Sequence, residues 1–190
     1  MTMTTLRVLG LSGSLRKASF NTALLRTAVD LAPEGMTLEP FDLGALPMFN
    51  EDLVPTPGAF PEPVVALRSA LAAADAVLLV SPEYNHSIPA VLKNALDWAS
   101  RPPASPLGGK PVAIVGASMG GFGTVRMQGH LRQVLTAVNM LTLGRPEVFV
   151  STAKQKFDAS GALVDEPTRE AVRGLLVALA EWTARVRPKA

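Results

Sequence analysis

Arg7-Val-Leu-Gly-Leu-Ser-Gly-Ser-Leu-Arg-Lys-Ala-Ser-Phe-Asn-Thr22 decides how this chain is read. Its first five residues are a short apolar run stopped by Ser12 and Gly13, the pattern of a buried strand. After it, Phe20, Leu24, Ala28 and Leu31 recur at helical spacing, with Ser19 placed as the N-cap and Pro33-Glu-Gly35 as the stop. Between strand and helix lie small hydroxyl residues, one glycine and two cations. A helix start of this kind suits an anion, because its free N–H groups point outward and its dipole favours negative charge. Ser12, Ser14 and Ser19 supply hydroxyls, Asn21 and Thr22 supply backbone and side-chain donors, and Arg16 can grip oxygens as a fork. Lys17 reads as a solvated flank. The plainer alternative is a serine-rich turn with two exposed cations. The loop lacks the Gly-Lys-Ser/Thr tail of a nucleoside-triphosphate loop. It also lacks the Gly-x-Gly-x-x-Gly spacing that cradles the pyrophosphate of a tightly bound dinucleotide.

The pattern of strand and then helix repeats. Residues 36–43 alternate as a strand, and Pro40 puts that strand at a sheet edge. Residues 44–61 carry Pro47, Pro55, Pro57 and Pro61 and read as a long surface loop. Residues 63–74 return to helix. Ala76-Val-Leu-Leu-Val80 is wholly apolar, the clearest buried strand of the chain. Ile88, Val91, Leu92, Ala95 and Trp98 mark the next helix, with Pro89 tolerated in its first turn. Residues 111–117 are a further strand and 125–138 a further helix. Residues 140–143 and 147–150 read as two pieces of a last strand broken at Gly144-Arg-Pro146. A polar, hairpin-like excursion at 151–165 leads into a final helix over 166–186. Uninterrupted apolar strands alternating with amphipathic helices need cover on both sheet faces. This predicts one α/β domain over residues 1–190: a flavodoxin-like, doubly wound sandwich with a five-stranded parallel sheet in the order 2-1-3-4-5.

Composition narrows the function. The 190 residues are 48% hydrophobic and only 18% charged, which argues against disorder. There is no cysteine, which excludes disulfides, thiolate metal sites and cysteine nucleophiles, and two histidines make a histidine-rich metal site a poor expectation. A net charge of +2 with no basic stripe gives no reason to expect a nucleic acid partner. The start, Met1 to Thr5, is polar and the apolar run after it is short, so neither a signal peptide nor a membrane span is expected, and the chain reads as cytoplasmic.

Ligands of such sheets bind at the carboxyl ends of the strands. Besides the first loop, two more leave those ends. Ser81-Pro-Glu-Tyr-Asn-His-Ser87 sets a dense polar and aromatic cluster after an all-apolar strand. Pro82 stiffens a backbone whose amides can read the edge of a planar ring, Tyr84 can wall it, and Asn85 can donate to it or brace the loop. Glu83 reads either as a ligand contact or as an anchor to a helix start. His86 reads more simply as structural or solvent-facing than as an acid. Ser118-Met-Gly-Gly-Phe-Gly123 has three glycines in six positions, which lets backbone approach a flat ligand.

Three segments together resemble the NADPH-dependent FMN reductase family, with bacterial quinone and chromate reductases as the most similar branch. They are Gly13-Ser-Leu-Arg-Lys-Ala-Ser-Phe-Asn-Thr22, Pro82-Glu-Tyr-Asn-His-Ser-Ile-Pro-Ala-Val-Leu-Lys-Asn-Ala-Leu-Asp-Trp98, and the stretch from Ser118-Met-Gly-Gly121 to Arg126-x-x-x-His-Leu-Arg-Gln133. The resemblance implies a flavodoxin-like fold, one bound FMN per subunit, NADPH or NADH as hydride donor, and a small-molecule electron acceptor such as a quinone, free flavin, an azo compound or chromate. It also implies homodimers or homotetramers. It puts Ser12, Ser14, Arg16, Ser19, Asn21 and Thr22 at the phosphate, Pro82, Glu83, Tyr84 and Asn85 at the ring, and Ser118 and Gly120 on a second ring-side loop. No side chain is given a catalytic role, since flavin N5 carries the hydride chemistry. His86 stands where the most similar members carry a second aromatic, and Gly129 where they carry a tyrosine. Arg126 and Glu147 are candidates to pair across subunits, or are two separate surface charges. The competing classes are a flavodoxin-like electron carrier, for which the expected acidic docking face is missing, and a non-catalytic flavin-binding protein.

Overall fold

The computed structural model describes residues 5–186; the first four residues of the polar start Met1 to Thr5 lie outside the described residues. The elements alternate along the chain as β1 (Leu6–Ser12), α1 (Phe20–Asp30), β2 (Met36–Phe41), α2 (Glu62–Ala73), β3 (Ala76–Val80), α3 (Ala90–Ala99), β4 (Pro111–Ala117), α4 (Val125–Ala137), β5 (Leu141–Thr142), β6 (Val148–Val150) and α5 (Glu166–Val186). All strand pairs are parallel, and the order is β2-β1-β3-β4-β5, with β6 also on β4. β5 and β6 are the two pieces of the fifth strand. β5 pairs with the start of β4 at Pro111 and Val112, and β6 with its end at Val115, Gly116 and Ala117. Among the described residues no helix is long and apolar enough to cross a membrane.

Side-chain alternation divides the core between the two faces. Val8, Leu78, Val80, Ala113 and Val115 pack under α1 and α5, with Leu24, Ala28, Val172, Leu176 and Leu179. Leu9, Leu11, Val77, Leu79, Val112 and Ile114 pack under α2, α3 and α4, with Leu67, Leu92, Met127, Leu131 and Leu135. All five residues of β3 are fully buried, as a central parallel strand covered on both faces must be. Each fully buried Leu or Val stabilises the fold by about 1.5–3 kcal/mol before entropy is counted. β2 lies at the edge, where Pro40 removes no bond from a second neighbour.

The proline-rich loop before α2 is held by α3. The Asn94 side-chain amide donates to the Pro47 carbonyl at 2.9 Å and accepts from Phe49 N–H at 2.7 Å, while Trp98 Nε1 donates to the same carbonyl at 2.8 Å. Residues 151–165 do form a hairpin-like excursion: Phe157 bridges Leu163 in antiparallel fashion, and both side chains are buried in the α1/α5 core. This fastens the excursion beside α1, an arrangement that shapes one wall of the molecule near the strand ends.

Candidate active site

The carboxyl ends of β1, β3 and β4 release three loops on one side of the sheet, and tight packing sets their spacing. Ser81 is fully buried and its N–H donates to Val115 O at 3.0 Å. A Cβ on Gly116 would lie 2.0 Å from the Ser81 carbonyl oxygen, and one on Gly13 would lie 2.6 Å from Ser81 Oγ. Neither position has room for a side chain, so three strand ends meet around one serine. A glycine inside an otherwise apolar strand is the sequence signal for such an approach, although the reading of loops alone passed over Gly116.

The first loop is built as the sequence suggests. Ser19 caps α1 by accepting from Asn21 N–H at 3.2 Å and Thr22 N–H at 3.4 Å. The amides of Leu15, Arg16, Lys17, Ala18 and Phe20 have no acceptor among the described residues. That is a cluster of free donors at a helix N-terminus, with the Ser19 O–H beside them and the exposed Arg16 above. Arg16 also lies over the Phe20 ring at 5.8 Å. Ser12 Oγ and Thr22 Oγ1 bond each other at 3.0 Å and stiffen the loop from behind.

Asn21 departs from expectation. Its side chain, read as a donor to an anion, is used inside the fold: Nδ2 donates to Ala117 O at 2.9 Å and Oδ1 accepts from Ala117 N–H at 2.8 Å. The side chain is buried and clamps the start of α1 to the end of β4. Its backbone N–H is likewise taken by the Ser19 cap. Asn21 therefore sets the distance between two loops.

The second loop is a tight hairpin. Tyr84 and Ser87 exchange backbone bonds of 3.1 and 2.9 Å, and Asn85 and His86 between them have φ of 49° and 63°. Positive φ at both central residues is the type I′ geometry, which an Asn accepts readily and a His less so. The turn projects Tyr84, whose hydroxyl lies 3.4 Å from Ser14 Oγ and links the first two loops. Of the two roles open to Glu83, the structure shows the anchor. Its Oε2 accepts from the N–H groups of Arg126 and Met127 at 3.0 Å each, at the start of α4, and its Oε1 lies 3.5 Å from Arg126 Nη1. His130, which sequence reasoning left without a role, has Nδ1 at 3.1 Å from Ser87 Oγ and braces the same loop from α4.

The third loop turns on Gly120, whose N–H donates to Ser118 Oγ at 3.2 Å and whose carbonyl accepts from Thr152 at 3.1 Å. Arg126 and Glu147 each have partners inside the chain. Arg126 pairs with Glu83 and lies over the Phe122 ring at 4.9 Å, while Glu147 meets Arg132 at 3.7 Å and Arg145 at 3.6 Å.

Together the loops enclose a cleft of about 370 Å³. Ser14, Arg16, Ser19 and Asn21 line it from the first loop, Pro82, Glu83 and Tyr84 from the second, and Ser118 and Met119 from the third. Ser12 and Thr22 line a neighbouring hollow behind the first loop, and Asn85 and Gly120 stand outside the cleft wall. The size lies in the range of small-molecule sites. Free amides and a cation at one end, with a stiff aromatic and proline wall at the other, match a phosphate joined to a flat ring. The family described as NADPH-dependent FMN reductase matches residues 6–155, which hold all three loops.

The chain belongs to the NADPH-dependent FMN reductase family. It is 49% identical to an NAD(P)H-dependent FMN reductase of Pseudomonas aeruginosa over 96% of this chain and 97% of that one. It is 46% identical to an NADPH:quinone oxidoreductase of Arabidopsis thaliana over 97% of this chain and 95% of that one. Among solved structures, a flavoenzyme NAD(P)H:(acceptor) oxidoreductase, FerB of Paracoccus denitrificans, superposes with a TM-score of 0.86 at 34% identity, over 96% of this chain and 99% of that one. The chain is thus an oxidoreductase enzyme, with FMN as its cofactor and NAD(P)H as its donor.

For this FMN reductase, Arg16→Ala removes the one cation that lines the cleft beside the free amides. FMN affinity is expected to fall about 10- to 100-fold, the cost of losing charge-assisted hydrogen bonds. Fluorescence titration of the apoprotein with FMN measures it, and an unchanged affinity shows that the phosphate lies elsewhere.

Proposed function

We propose that this enzyme passes electrons from NAD(P)H to quinones and similar small acceptors (free flavin, azo compounds, chromate), with donor and acceptor using the same open side of the cleft in turn. The observation that carries the reading is a helix start with free amides whose Arg16 and Phe20 line one cleft together with Pro82 and Tyr84. The residues fit FMN: the free amides of the first loop, the Ser19 hydroxyl and Arg16 hold the phosphate, and Pro82, Glu83, Tyr84 and Ser118 border the ring. Bound there, the flavin supplies two-electron hydride chemistry, which none of the protein's own side chains offers. The protein's work is positioning. The Glu83 anchor and the Ser14–Tyr84 contact keep the loops at fixed spacing, and the Met119 and Tyr84 side chains narrow access of water to the ring edge.

Tyr84 and Met119 are exposed at the cleft, and the third loop and the start of α4 expose two more apolar side chains, Phe122 (69%) and Val125. These exposed apolar side chains support a homodimer or homotetramer with subunits meeting near the flavin. The enzyme works in the cytoplasm, where reduced nicotinamide is made. Steady-state kinetics test the shared open side. With NADPH varied at several fixed concentrations of a benzoquinone, double-reciprocal plots are expected to be parallel. Intersecting lines, the mark of both substrates bound together, contradict it.

A further inference from the structure

A second hollow, about 700 Å³, adjoins the flavin cleft on the far side of the first loop. The two share Arg16, Ser19, Phe20 and Met119, so they are continuous at the phosphate end of the cleft. Pro82 and Tyr84 line only the cleft, while Met119 of the third loop lines both. Its walls are the start of α1 and the excursion that follows β6. Those two elements bring together four cations, Arg16, Lys17, Arg26 and Lys154, and a single carboxylate, Asp158.

The balance of charge in this hollow is lopsided. Lys17, Arg26 and Lys154 have no hydrogen bond or ion pair among the described residues, although the chain holds 16 Asp and Glu in all. Asp158 offsets one of the four cations and leaves the lining with an excess of three positive charges. Its Oδ1 accepts from Ser160 Oγ at 2.6 Å, Ser160 N–H at 2.9 Å and Ala162 N–H at 2.9 Å. These bonds hold the carboxylate in its own turn, and the Ser160 hydroxyl foremost holds its pKa below the usual carboxylate value, so it stays ionised. Unpaired cations from two separate elements, converging on one cavity, describe a seat for a highly charged anion.

We propose that this hollow seats the 2′-phosphate of NADPH, held by Lys17, Arg26 and Lys154. The inference rests on the reading of NAD(P)H as donor. Two features select the 2′-phosphate among the phosphates of NADPH. A phosphomonoester carries close to two charges, more than either phosphate of the diester bridge, and three free cations suit it. The 2′-phosphate also belongs to the end of NADPH away from the nicotinamide, and the hollow opens from the cleft beside Arg16, Ser19 and Phe20, outside the Pro82 and Tyr84 lining. Arg26 supplies the planar fork that distinguishes the phosphate from a ribose hydroxyl. Arg16 remains with the flavin phosphate at the junction.

The test uses the full-length, FMN-loaded protein and the double variant Arg26→Ala/Lys154→Ala. Both side chains are exposed, so the fold is not at risk. The KM for NADPH is expected to rise about tenfold while that for NADH moves by less than about twofold, as for loss of charged hydrogen bonds to one group. Isothermal titration with adenosine 2′,5′-bisphosphate is expected to show binding to the parent protein and weakened binding to the variant. Equal rises for both donors, or no rise for either, overturn the assignment. So does a loss of FMN affinity in the variant, which would give the hollow to the flavin phosphate. If the parent protein oxidises neither dinucleotide, the donor reading itself fails, and the bisphosphate titration decides the hollow independently.

Discussion

Asn21→Ala is expected to lower the melting temperature by about 5–10 °C and to weaken FMN binding at the same time. The argument is an accounting of buried partners. Asn21 is 3% exposed, and its amide satisfies both the N–H and the carbonyl of Ala117 at 2.8 and 2.9 Å. Truncation leaves two backbone groups without partners where neither faces water. Each such group costs about 1–3 kcal/mol, and entry of water into the space left by the amide offsets part of it. A net loss of about 2–4 kcal/mol corresponds to that fall in melting temperature for a domain of this size. FMN affinity falls because the clamp joins the first loop to the third, so its release loosens both ends of the cleft. Differential scanning fluorimetry of the apoprotein and an FMN titration measure the two effects. A melting temperature within about 1 °C of the parent would show that the clamp contributes little.

Gly116→Ala is expected to be a change of comparable severity. The added methyl would sit 2.0 Å from the Ser81 carbonyl oxygen, 2.8 Å from Thr124 Oγ1 and 3.0 Å from Thr124 Cγ2. The first contact is with backbone, which cannot rotate away. β3 and β4 must separate at their carboxyl ends, and Ser81 and Ala117 move with them. Overpacking of a close-packed interior costs about 1–3 kcal/mol, and a rigid backbone contact belongs at the upper end of that range. Gly10→Ala is the informative contrast. There the new methyl meets Leu25 Cδ1 at 2.6 Å and Leu38 Cδ2 at 2.9 Å, the far ends of side chains that can change rotamer. Urea unfolding is therefore expected to rank Gly116→Ala well below Gly10→Ala, with flavin binding lost in the former. Equal stability of the two variants would mean that the strand ends are looser than their spacing implies.

What was legible in the sequence follows from what is local. The apolar run Ala76–Val80, the helical spacing of Leu24 and Ala28, and the capping residue Ser19 each act through near neighbours, so the alternating elements could be read directly, and the count of five strands then pointed to the strand order. The split fifth strand was legible too, because Gly144-Arg-Pro146 interrupts it in sequence as it does in space. The cleft was legible as three loops, since the fold brings all strand ends to one side. What each side chain does there was less so. Asn21 reaches a partner 96 residues away, and Glu83 one 43 residues away, so neither bond has a signature in its own neighbourhood. A polar residue beside an anion loop looks the same whether it meets the ligand or braces the loop. Gly116 was hidden for a related reason, because its lack of room depends on where β3 places Ser81. The hollow of Lys17, Arg26 and Lys154 was out of reach altogether. It exists only because Phe157 and Leu163 pack the excursion against the α1/α5 core beside α1.

The central claim is that the three-loop cleft holds FMN in a position to take electrons from NAD(P)H. An absorbance titration tests it most directly: the purified protein is loaded with FMN, freed of unbound flavin, and mixed with NADPH without oxygen. The visible band of oxidised flavin is expected to bleach at one equivalent of NADPH and to return when a benzoquinone is added. Protein that retains no flavin, or a band that persists in excess NADPH, would contradict the claim.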